Sequence, residues 1–367
     1  MKITNDAKKL VETQFITLYD EHDPLLLECG KTLSPVTVAY ETYGRLNNEG
    51  TNAVLICHAL TANAHAAGHH SSSDEAPGWW DGLIGPRCAF DTKKYFVVCP
   101  NILGSCYGTT GPSSLDPRTG EPYRVAFPPF TIRDIVAVQK KLLDALGVNR
   151  LATVCGSSLG GMQVLEWGIT YPDFCETIIP ISTAARQSAW CIGLNTAARA
   201  AITSDPVWNN GFYAQQPMNG LATARMVGML SYRSAAELER RFGRRRQNGA
   251  TDRFDSSNLF KVESYLHYQG EKLGKRFDAN TYIYLSRAMD LHDVTYGRAP
   301  LPEVLGSIKA RTLCIGVSSD IRYPTVEQKE LVSFTPNARY AEIDSIHGHD
   351  AFLIEFDRLN AVIKNFL

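Results

Sequence analysis

The sequence has little that would place it outside the ordinary globular enzymes. Across its 367 residues no apolar run approaches the roughly 18 residues of a spanning helix, so no membrane role is expected. From Met1 to Tyr19 the chain mixes Lys, Asp, Glu and Thr without an apolar stretch. A signal peptide is therefore not expected, and the chain reads as cytoplasmic. There is no CxxC pair, no internal repeat and no low-complexity tract. The nine cysteines are odd in number, and Cys57, Cys99, Cys155 and Cys314 sit inside apolar runs. They read as small buried hydrophobes, not as a disulfide framework or a zinc site. Excess charge is lacking as well. With 37 basic and 38 acidic side chains the net charge is −1, which argues against bulk attraction to nucleic acid. What is present is 44% apolar and 20% charged residues, enough for a buried core without staples. The length leaves room for more than one α/β unit.

Short apolar or β-branched runs alternate with helical patterns through the first half. Val36–Tyr43, Ala53–Cys57, Tyr95–Cys99, Leu151–Cys155 and Thr177–Ile181 read as strands. Apolar residues at 132, 135, 136, 142, 143 and 146 mark a helix closed by Gly147. Strand, helix, strand at these lengths demands crossover connections and a mostly parallel sheet covered on both faces. The rhythm stops near Thr183 and resumes with Arg311–Val317, Arg339–Ile343 and a terminal helix around Arg358–Phe366. The expectation is an α/β core formed by 1–183 and 302–367, interrupted by a mainly helical lid over 184–301.

The run Cys155-Gly156-Ser157-Ser158-Leu159-Gly160-Gly161-Met162 contains G-x-S-x-G between an apolar strand and a helical pattern. A sharp strand-to-helix turn needs small flanking residues, and it lifts a serine oxygen above the sheet at the positive end of a helix. Ser158 is thus the candidate nucleophile. Its base and orienting carboxylate should follow in the order Ser, Asp, His. Asp320 stands at the carboxyl end of the strand Arg311–Val317, and His347 and His349 follow Arg339–Ile343. Spacing does not separate the two histidines. The oxyanion hole needs the amide of Leu159 and a second one from the loop after Ala53–Cys57, placed at Leu60.

With these residues in hand, the sequence resembles the homoserine O-acyltransferases of the α/β-hydrolase superfamily. The resemblance runs almost end to end. It rests on Val38-Ala39-Tyr40-Glu41-Thr42-Tyr43-Gly44, Cys57-His58-Ala59-Leu60-Thr61, Gly78-Trp79-Trp80 and the stretch from Gly108 to Ser114. Ala224-Arg225-Met226-Val227-Gly228, Arg276-Phe277-Asp278-Ala279-Asn280 and Gly348-His349-Asp350-Ala351-Phe352 match too. The resemblance implies an α/β-hydrolase fold, Ser158 as nucleophile, Asp320 as orienter and His349 as base. It implies that Arg225 and Asp350 hold the amino-acid substrate, with Tyr232 in the same pocket. A zwitterion needs one cation and one anion, which fits. The implied partners are L-homoserine and an acyl-CoA used as substrate, with no cofactor and a homodimeric assembly. Arg322, two residues past Asp320, resembles the succinyl-specific branch, so succinyl-CoA is the expected donor and acetyl-CoA the alternative. Gly104-Ser105-Cys106 is similar to relatives that acylate serine. A plain esterase or thioesterase is the further alternative.

Other features carry less. His65, His69 and His70 lack an acidic partner at fixed spacing, so no metal is expected. The glycine loop from Gly104 to Gly111 lacks the Lys-Ser/Thr of a nucleotide loop. The run Arg240-Arg241-Phe242-Gly243-Arg244-Arg245-Arg246 reads as a solvated lid surface, the alternative being attraction of CoA phosphates.

Overall fold

The structure is a computed structural model and describes residues 10–247, 254 and 259–367. Among the described residues there are ten strands: β1 (Gln14–Tyr19), β2 (Leu25–Leu26), β3 (Thr32–Leu33), β4 (Val36–Tyr43), β5 (Ala53–Cys57), β6 (Phe96–Pro100), β7 (Leu151–Ser157), β8 (Thr177–Ile181), β9 (Arg311–Val317) and β10 (Ala338–Ile343). Eight of them form one sheet in the order β1-β4-β6-β5-β7-β8-β9-β10, while β2 and β3 make a small hairpin. The pairs β1·β4 and β4·β6 are antiparallel, and all the others in the large sheet are parallel. This is the α/β-hydrolase fold.

Period-two alternation assigns neighbouring residues of the central strands to opposite faces. On one face Leu55 and Val154 pack against α1 (Ile132–Ala145) and α2 (Leu159–Thr170) through Ile135, Leu142, Met162 and Trp167. On the other, Ile56 and Cys155 meet Trp80, Phe90 and Leu359 and Ile363 of α10 (Phe356–Phe366). Both faces are covered, so β5 and β8 are buried along their whole length, as parallel central strands require. Helix α1 opens with a capping box in which Thr131 and Asp134 satisfy each other's backbone amides.

Strand β1 is absent from the sequence reading. It is an edge strand in which both Phe15 and Gln14 are exposed, so its apolar alternation is weak. Strand β7 also runs two residues further than expected, and α2 begins at Leu159 instead of Met162.

Among the described residues the large sheet gains no strand between Ile181 and Arg311. The segment between holds α3 (Ala189–Thr203), α4 (Met218–Tyr232), α5 (Ala235–Arg241), α6 (Lys261–Gly274), α7 (Ala279–Asp290) and α8 (Leu301–Gly306), then α9 (Thr325–Phe334) follows β9. Helix α4 packs between α3 and α6 and touches the short 3-10 turn Gly348–Leu353. That contact brings the helical segment over the carboxyl ends of the strands. Among the described residues no helix is long and apolar enough to cross a membrane.

Candidate active site

The turn between β7 and α2 is strained at one residue. Ser158 has φ 57° and ψ −123°, a left-handed backbone that a non-glycine residue adopts only when its surroundings force it. Here the flanking glycines do the forcing by close approach. A Cβ on Gly156 would lie 2.6 Å from the Cys57 carbonyl oxygen, and one on Gly160 would lie 2.1 Å from the same atom. The turn therefore sits against the end of β5, and the serine is lifted to the start of α2, where helix amides point outward. The Leu159 amide is the first of these.

Asp320 and His349 meet although 29 residues separate them. Asp320 Oδ1 accepts from the amides of Arg322 at 2.8 Å and Tyr323 at 3.0 Å. Its Oδ2 lies 2.7 Å from His349 Nδ1. Because that oxygen can only accept from the ring, Nδ1 carries the proton and Nε2 is left as the free base. Both side chains are buried. His347, the other histidine that spacing allowed, lies instead 3.3 Å from Glu237 Oε1.

Ser158, His349 and Leu60 line one cavity of about 450 Å³. Four cations line it too: Arg225 from α4, Lys272 from α6, Arg276 just beyond α6, and Arg322. Arg225 and Arg322 lie 5.5 and 5.4 Å from the centre of the Tyr232 ring. Arg322 is buried and donates to Ser231 Oγ at 3.1 Å and to Asn195 Oδ1 at 2.6 Å, both neutral. Arg225 Nε is buried without a hydrogen-bond partner. Among the described residues none of the four cations pairs with a carboxylate. Asp350, the one carboxylate among the described residues that line the cavity, already lies 3.1 Å from Arg233 Nε. Burial raises the Asp350 pKa, and the Arg233 charge opposes that rise. The cavity is thus built to take anions.

A model of the alpha/beta hydrolase fold family matches residues 52–355. The homoserine O-acetyltransferase of Carboxydothermus hydrogenoformans is 48% identical over 371 residues, covering 99% of this chain and 97% of that protein. That of Moorella thermoacetica is 50% identical, with the same coverage. Among solved structures, the homoserine O-acetyltransferase from Bacillus anthracis matches with a TM-score of 0.90 at 33% identity, covering 98% of each chain. Esterase E22 matches with a TM-score of 0.88 at 30% identity, covering 97% of this chain and 100% of its own. The chain belongs to the homoserine O-acyltransferase family.

Spacing along the chain did not place two further features of this family member. The first is Glu41, which is fully buried and accepts from His65 Nδ1 at 3.0 Å, His70 Nε2 at 2.7 Å, Tyr43 Oη at 2.8 Å and Thr13 Oγ1 at 2.8 Å. It is the acidic partner that the histidine run lacked in sequence, supplied by β4. Glu41, His65 and His70 also bring three potential metal ligands within 4.8 Å of one another. Each carboxylate oxygen nevertheless already accepts two hydrogen bonds, so the cluster is complete as a hydrogen-bond network. Burial alone would raise the Glu41 pKa, but the four donors more than offset it and hold it down to about 2. His69 stays outside this cluster.

The second is the basic run, described as far as Gln247. None of its arginines lines the cavity. Arg241 lies over the Phe242 and Tyr265 rings at 5.0 and 4.7 Å, while Arg244 and Arg246 lie over Phe260 at 5.6 and 4.9 Å. The cavity cations come instead from positions that form no run in the sequence.

Proposed function

We propose that this chain is a CoA-dependent O-acyltransferase that acylates the side-chain hydroxyl of L-homoserine through an acyl-serine at Ser158. The observation that carries this reading is the cation-lined cavity holding both Ser158 and His349. An acyl-CoA is polyanionic and an amino acid carries a carboxylate, whereas simple ester hydrolysis needs neither Arg225 nor Arg322.

In the proposed cycle, His349 Nε2 takes the Ser158 proton as Oγ attacks the thioester carbonyl. The amides of Leu60 and Leu159 hold the oxyanion. Collapse breaks the carbon–sulfur bond, and the departing CoA thiolate takes the proton from the imidazolium. Homoserine then binds with its carboxylate at Arg225 and its ammonium toward Asp350, with Tyr232 between them. His349 removes the hydroxyl proton, the hydroxyl attacks the acyl-serine, and the proton returns to Ser158 as the ester leaves. The acyl-CoA is a substrate, and the scheme uses no cofactor.

The acyl group is read as acetyl. Relatives 48–50% identical over nearly the whole chain bear the name homoserine O-acetyltransferase, which supports acetyl over the succinyl donor expected from Arg322. One observation favours succinyl as a second reading: Arg322 is buried, lines the cavity and has only neutral partners. A succinyl carboxylate would complete it.

The test is to follow free thiol with acetyl-CoA and succinyl-CoA side by side, with and without homoserine or serine. Release that requires homoserine supports the proposal, and release that requires serine moves the acceptor. Equal release without either acceptor makes the chain a thioesterase. The faster donor names the acyl group. If that donor is succinyl-CoA, Arg322→Leu should lower its kcat/KM by about 10-fold or more, the scale of one lost charged hydrogen bond.

A further inference from the structure

The amide of Leu60 shares a peptide unit with the carbonyl of Ala59. That unit is planar and trans, so the direction of the N–H is set by the direction in which the Ala59 oxygen is held. The Ala59 oxygen is held twice, at 2.8 Å from His58 Nδ1 and at 3.1 Å from the Ala62 amide. A carbonyl oxygen only accepts, so His58 Nδ1 carries its proton. The other nitrogen, Nε2, accepts from the Ile102 amide at 3.1 Å. Both ring nitrogens are used, and the side chain is fully buried. The ring therefore has one tautomer and one orientation, tied to the chain that follows β6.

On the far side of Leu60 a second side chain acts from outside the core. Arg276 Nη1 donates to the Thr61 carbonyl at 2.8 Å and to Tyr107 Oη at 2.5 Å. Arg276 belongs to the helical segment and is 215 residues away from Thr61 in sequence. Leu60 is thus bracketed by one carbonyl fixed from within the sheet domain and one fixed by the segment that covers the cavity.

We propose that His58 and Arg276 are positioning residues for the oxyanion donor: His58 aims the Leu60 amide, and Arg276 couples that aim to the seating of the helical segment. This rests on the reading of Leu60 as an oxyanion donor. A peptide left free to rotate would lose the alignment that makes such a donor effective, and a whole donor is worth about 10²–10³ in rate. The uncovered cavity would then be a weaker catalyst than the covered one, with no change in the reacting groups.

The experiment measures acylation of Ser158 by p-nitrophenyl acetate, a donor without CoA, as kcat and KM. Binding of a trifluoromethyl ketone, which forms an oxyanion on Ser158, is measured alongside. His58→Leu is expected to lower kcat about 30-fold or more with KM within about 3-fold, and to weaken the ketone by a similar factor. His58→Asn keeps a donor for the Ala59 oxygen and should recover most of the rate. Arg276→Met should lower kcat about 10-fold, with Arg276→Lys recovering part of it. If His58→Leu does not fold, the exposed Arg276 pair decides alone. Wild-type kcat and ketone affinity in Arg276→Met and in any folded His58→Leu would overturn the proposal. Absence of Ser158-dependent acylation in the wild-type protein would instead overturn the proposed function.

Discussion

The two sides of the cavity differ in how the polar groups in and behind them are partnered. On the sheet side, Asp320, His349, His58 and Glu41 are each met by short, well-directed hydrogen bonds. On the side of the helical segment, Arg225 and Lys272 line the cavity with no ion-pair partner among the described residues, and Arg276 is held only by neutral oxygens. Reacting groups need fixed geometry before the substrate arrives, so their partners are protein atoms. Groups that are to receive an anion need their charge left uncancelled, so no carboxylate among the described residues meets them. Under the proposed function the contrast puts the chemistry at the sheet ends and most of the selection on the inserted helices. Among the described residues Arg322 is the one cavity cation contributed from the sheet side.

The largest effect should come from the sheet side. Ser158→Ala is expected to lower turnover by at least about 10³-fold while thermal unfolding stays near that of the wild type, as for other serine-triad enzymes. Retained acyl transfer would remove the assignment of chemistry to that side. A change on the helical side should look different. Arg225→Met should raise the KM for homoserine by about 10–100-fold, the scale of a lost charged hydrogen bond, and leave acylation by the donor alone within about 3-fold. A fall in acylation equal to the rise in KM would blur the division.

The sheet side should also show itself in acid. Glu41 is held to about 2 in the folded protein against 4.5 when free, so its network contributes stability fully above pH 4.5. That contribution, about 3 kcal/mol, is lost as the pH falls through 2. His58 acts over a higher window, because burial lowers its pKa from 6.5 to about 4. The unfolded chain therefore takes up that proton first, and stability declines as the pH drops from 6.5 toward 4. Denaturant unfolding at stepped pH should show both windows; Glu41→Gln should shrink the lower one and His58→Asn the upper, the remainder falling to other shifted groups such as Asp74 and His292. The smallest effect belongs to the basic run. Replacing Arg240, Arg241 and Arg244 by Gln should leave the acyl-CoA KM within about 2-fold, since these arginines are absent from the cavity lining. A larger rise would extend the recognition surface beyond the cavity.

Local features were open to a reading of the chain. The strand before Ser158, the glycines around it and the later order of Asp320 and His349 each follow from turn sterics and fold topology. Position along the chain did not separate His347 from His349. The structure does, by setting one against Glu237 and the other against Asp320. Nor did spacing reveal Glu41, because the carboxylate and its two histidines come from a strand and from the loop after the next strand.

The sequence by itself determined the α/β rhythm, the strained elbow and the residue types of the site, because each depends on neighbours within a few positions. Only the tertiary structure decided which of those residues meet. It put Arg276 on the carbonyl after Leu60 and Glu41 between two histidines, and it left the conspicuous arginine run stacked on aromatic rings away from the cavity. Charge recognition depends on distances of a few ångströms, and those are set by packing across the sheet and the inserted helices, not by separation along the chain.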